Sequence, residues 1–136
     1  MRPTEQSSAI ETVVHIIGWV IAVGLLFVNL LLFRRVVMDV MTLTAVLWAS
    51  TNPGQWRESR LTFGWIRATL DYVLLLVGGA VTVMAAIGVE YYLRKGLAEG
   101  QLYRRLGRIM GIGLALAAGL ALISLLLNWL VLRIPV

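Results

Sequence analysis

The chain has 136 residues, a formal charge of +5, no cysteine, 60% hydrophobic residues and a mean hydropathy of +0.86. So little polar sequence leaves no room for both a membrane bundle and a folded soluble domain, so 1–136 reads as a single integral membrane domain and a separate extramembrane enzyme is excluded. The absence of cysteine removes disulfides, thiolate zinc sites and iron–sulfur ligation by this chain. The basic excess has none of the aromatic interleaving or recognition-helix pattern that nucleic-acid binding requires.

The expected class is all-α and polytopic, with three long spans at 13–33, 70–93 and 108–132. Each supplies about the 20 residues an α-helix needs to cross a hydrocarbon core. Ahead of the first span, 1–11 is polar and expected to fray, with Thr12, Ser7 or Ser8 as candidate helix caps. The span itself is interrupted only by His15, Gly18, Gly24 and Asn29, and it reads as an uncleaved anchor rather than a removable signal.

After Arg34 and Arg35, the stretch 36–50 is apolar but rises only about 22 Å as a helix. It reads as a short fourth span, a continuation of the first helix, or an interfacial helix; the two nonspanning readings are favoured because the arginine pair leaves almost no loop for a hairpin. Asn52-Pro53-Gly54 is a strong turn signal. Trp56, Arg57, Arg60, Trp65 and Arg67 then make an aromatic and basic stretch suited to the headgroup layer, as an interfacial helix or ordered loop leading into the second span.

Asp71, at the start of the second span, is expected to pair with Arg67 one turn earlier, and Glu90 with Arg94 one turn later. Gly96 and Gly100 bracket a break, and Arg94, Lys95, Arg104, Arg105 and Arg108 form a basic link with Tyr103 as an anchor. Basic residues at such flanks contact anionic lipid headgroups. With three spans, the Lys and Arg residues divide six and six between the two sides, so charge leaves the orientation open; four spans would favour an outside N-terminus.

Two patches of small residues are candidate packing faces: Gly78, Gly79, Thr82, Ala85 and Ala86 in the second span, and Gly107, Gly111, Ala115 and Gly119 at intervals of four in the third. Small side chains let helices approach closely where water expulsion supplies no drive. The expected result is a contact between these two helices, or of one of them with another subunit. Asn29 and Asn128 would act as hydrogen-bond glue, whereas Ser124, Thr82 and Thr69 would bond to their own helix backbone.

Asp39 and Glu90 are the candidates for an ion or proton path, because an intramembrane acid is costly unless it is used. His15 is the only histidine and lacks partner ligands in sequence, so neither a metal site nor a cofactor is expected. No phosphate loop, metalloprotease motif or pair of central carboxylates is present. The sequence therefore points to a noncatalytic subunit that scaffolds a larger membrane complex, partnered by other integral membrane subunits and anionic lipids, in a bacterial cell inner membrane. The alternative is a small homo-oligomeric transporter or channel using Asp39 and Glu90.

Overall fold

The computed structural model describes residues 3–134, with the side chains of residues 3–8, Trp56 and Glu58 outside the description. The described residues form three helices: α1 (Pro3–Thr51), α2 (Trp56–Ala98) and α3 (Leu102–Arg133). Each is long and apolar enough to cross a membrane, as the three-span expectation requires.

α1 passes through Arg34 and Arg35 without interruption. The stretch 36–50 is thus the outer part of α1, the second of its three readings, and not a separate fourth span or interfacial helix. Between Gly24 and Pro53 the chain holds no glycine or proline, so nothing breaks the i to i−4 hydrogen-bond ladder. The same helix begins at Pro3, where the missing N–H costs nothing; Ser7, Ser8 and Thr12 therefore lie within helical backbone instead of capping it. At 49 residues α1 rises about 73 Å, more than twice a hydrocarbon core of about 30 Å.

The turn expected at Asn52-Pro53-Gly54 is present. Asn52 N–H still bonds to Trp48 C=O at 3.0 Å, and Gln55 N–H bonds to Asn52 C=O at 3.1 Å. α2 starts at once at Trp56 and runs into the membrane without a loop. It ends at Ala98, and the turn after it is made by Gly100, whose φ of +68° lies in the left-handed region; the next residue, Gln101, returns its N–H to Gly96 C=O at 2.8 Å. Glycine adopts that conformation without the clash a Cβ would bring.

α1 is the central helix. α2 lies antiparallel to it and α3 parallel, while α2 and α3 touch each other much less. Close approach is set by glycines: a Cβ on Gly18 would lie 2.8 Å from Leu106 Cδ1, Gly113 is covered by Leu25, and Gly78 by Leu30. Trp48 and Phe63 close the outer end with ring centroids 5.9 Å apart.

The expected contact between the two small-residue patches is not made. Gly78 does pack, but on α1; Ala85 is half-buried, and Gly79, Gly107, Gly111 and Gly119 have open space where a side chain would be. Ala115 is exposed beside them. The close-approach glycine of α3 is Gly113, off the four-residue stripe. Polar bonds from α1 to Gly113 and Ser124 fix the rotation of α3 and turn the 107–119 stripe outward.

Gly18 meets Leu106, Leu25 meets Gly113, and Asp39 meets Ser124. This register sets the apolar run 109–132 of α3 beside about 21–46 of α1, a stretch that includes Arg34, Arg35 and Asp39. The third apolar run is therefore displaced along the bundle from the first, which covers 13–33.

Candidate functional site

Polar side chains gather at two levels of the bundle. At the outer level, Arg34 on α1 grips Asp71 on α2 through Nε–Oδ1 at 2.5 Å and Nη2–Oδ2 at 2.7 Å. The expected Arg67 partner stays exposed. A guanidinium fork matches a carboxylate in this two-bond geometry, and the antiparallel register brings Arg34 across a helix boundary that sequence spacing does not reveal. The pair is tested by charge reversal. Arg34→Asp alone sets two carboxylates side by side and is expected to lower stability in detergent sharply, and R34D/D71R is expected to recover most of the loss. Additive losses would show that the two residues do not act together.

One turn further along α1, Asp39 accepts a hydrogen bond from Ser124 Oγ at 2.5 Å. The serine is 3% exposed. The expectation that Ser124 bonds its own helix is thus overturned, whereas Thr82 does so, donating to Gly78 C=O at 2.8 Å.

At the inner level, Glu90 pairs with Arg94 at 2.8 Å as expected, and Lys95 stands 4.0 Å from Glu99. Arg105 has a different role from its lipid-contacting expectation. It is drawn into the α2–α3 turn, bonding Glu99, donating to Tyr92 C=O at 3.0 Å, and lying 4.7 Å over the Tyr92 ring. Only 12% of its side chain is exposed. Gly96 makes the space, since a Cβ there would lie 2.7 Å from Arg105 Cδ.

His15 and Glu90 line one cavity of the inner level, and the 19 positions from His15 to Arg34 rise about 29 Å. The two polar levels are spaced like the faces of a hydrocarbon core. Between them, Asn29 Nδ2 bonds Leu25 C=O at 2.9 Å and Gly113 C=O at 3.1 Å, the glue expected of it. Trp19 Nε1 donates to Ala86 C=O at 3.2 Å.

Asp39 and Glu90 are not brought together. They occupy opposite levels, and each is bonded to its own neighbour. Arg35, Arg57, Arg60, Trp65, Arg67, Arg94, Lys95, Arg104 and Arg108, the expected headgroup contacts, are exposed. The corresponding expectation for Trp56 falls on a side chain outside the described residues. Among the described residues no group of three His, Asp or Glu side chains converges.

The geometry defines a class: an all-α, multi-pass membrane protein whose internal polar groups tie helices to one another. Comparison with known protein families, curated proteins and solved structures finds no match. The residues that sequence reasoning missed are Gly18, Gly113 and Ser124. Their one available signal was that each is small or polar within an apolar run, which many membrane helices share.

Proposed function

We propose that this chain is a noncatalytic integral subunit that stabilises a larger membrane protein complex. The observation carrying this reading is the displacement of α3. Its outer half stands past the Arg34–Asp71 level and exposes Leu122, Leu125, Leu126, Trp129 and Leu132, beside Val40 and Leu47 of α1. An apolar surface of this extent, standing beyond one core thickness, calls for protein cover. The opposite placement of Asp39 and Glu90 supports a subunit over a transporter with a shared polar path. Helical spans also suit the bacterial inner membrane, since the outer membrane is the home of barrels.

The test is extraction from the native membrane in mild detergent, followed by native mass spectrometry. A particle with fixed, different partners is expected. L122E/L126E is expected to insert normally but to lower partner recovery roughly thirtyfold, the effect of losing an apolar anchor worth about 2 kcal/mol. A homo-oligomer alone, or unchanged recovery in the double variant, would overturn the reading.

A further inference from the structure

The turn between α2 and α3 holds a cavity of about 250 Å³ lined by Tyr92, Gln101, Arg104, Arg105 and Arg108. Its walls are preorganised. Arg105 is locked by Glu99, the Tyr92 carbonyl and the Tyr92 ring, and Gly96 is packed beneath it. Arg104 and Arg108 differ from Arg105: both are exposed, and neither makes an ion pair among the described residues, since the acids of this turn are taken by Arg94, Lys95 and Arg105.

Gln101, Arg104 and Arg108 share one face of α3 by helical spacing. The Gln101 side chain does not cap the helix, so the unpaired amides of the first turn add positive potential at the same end. A cavity with two uncommitted guanidinium groups and a fixed third is built for an anion with several acceptor oxygens.

The residues beyond Arg108 on that face identify the kind of anion. Gly111, Ala115 and Gly119 continue the line into the hydrocarbon, and at both glycines the space beyond the backbone is open. From Arg104, which the register with α1 sets near the His15 level, to Ala115 the helix rises about 16 Å, close to one leaflet of a core about 30 Å thick. A smooth track of that length below a cluster of arginines matches an acyl chain below its phosphate.

We propose that the α2–α3 turn is a specific site for an anionic phospholipid, with the phosphate held by Arg104 and Arg108 and one acyl chain lying along Gly111 and Ala115. The assignment is independent of the scaffold reading, because it uses the opposite end of the bundle and needs no protein partner.

The experiment uses the purified, delipidated full chain in detergent, titrated with phosphatidylglycerol or phosphatidylcholine and read by native mass spectrometry. One saturable phosphatidylglycerol is expected, held more tightly than phosphatidylcholine. At roughly fivefold for each arginine at a membrane surface, R104A/R108A is expected to weaken the lipid about 25-fold, while R57A/R60A at the other end leaves it in place. Ala115→Phe, which blocks the track without touching a charge, is expected to weaken it as well. Glycerol 3-phosphate, the phosphate without the chains, is expected to bind far more weakly than the lipid. Retention unchanged in R104A/R108A, equal loss in R57A/R60A, no effect of Ala115→Phe, or glycerol 3-phosphate binding as tightly as the lipid would each overturn the proposal.

Discussion

Gly113→Leu is expected to separate α1 from α3, at a cost on the order of 3 kcal/mol, the upper end for overpacking a close contact. A Cβ at this position would already stand 2.9 Å from Leu25 Cγ. The longer side chain would also push the Gly113 carbonyl away from Asn29, which donates to it at 3.1 Å. Gly111→Leu is the matched control. It lies two positions away in the same helix, faces open space, and should leave stability of the isolated chain unchanged. The measurement is unfolding in mixed micelles, supported by a disulfide between Gly18→Cys and Leu106→Cys. The chain has no cysteine of its own, so the crosslink reports on α1 and α3 alone. Equal losses in the two variants would show that α3 is rotated differently from the arrangement described.

The second large effect is expected at Ser124. Its hydroxyl donates to Asp39 Oδ2 at 2.5 Å, and the serine is buried. Ser124→Ala leaves the aspartate oxygen without this donor, and a hydrogen bond to a charged group is worth about 1.5–3 kcal/mol. Asp39→Asn keeps an acceptor oxygen opposite the hydroxyl and should cost less. Converting both positions to apolar residues, D39L/S124A, should recover much of the single-variant loss, because no polar atom is then stranded. Unfolding in the same micelles distinguishes these cases. A neutral Ser124→Ala would remove the bond from the account of how α3 is held.

The helical class was legible because its cause is local. A run such as 13–33 cannot leave its backbone unpaired in hydrocarbon, so length and hydropathy decide that it is helix before any neighbour is known. The 52–54 turn and the Glu90–Arg94 pair were legible for the same reason, since proline, glycine and i to i+4 spacing act within a few residues. The ends of helices were less so. Nothing in the composition of 3–11 or 36–50 states how far α1 continues once its apolar span is over, and its 49-residue length follows from the absence of a breaker, a weaker signal than a cap.

The candidate sites divide in the same way. Exposure of the flanking arginines could be read from charge alone, but Arg34 and Arg105 look like their neighbours in sequence, and only the fold commits them to Asp71 and Glu99. The four-residue spacing of Gly107, Gly111, Ala115 and Gly119 correctly defines one face of α3, yet it cannot say which way that face points. Gly113, with no periodic partner, turns out to be the glycine on which α1 closes.

By itself, the sequence determined that this protein is all-helical with three runs long and apolar enough to cross a membrane, and left 36–50 open as a fourth, because burying an apolar helix in lipid depends on the helix and its solvent only. The tertiary structure decided the displacement of α3, the Arg34–Asp71 and Asp39–Ser124 ties, and the outward turn of the glycine stripe. Each depends on register and rotation between helices. In lipid, those are fixed by a few close contacts and polar bonds between residues far apart in the chain, and not by a general drive to hide apolar surface.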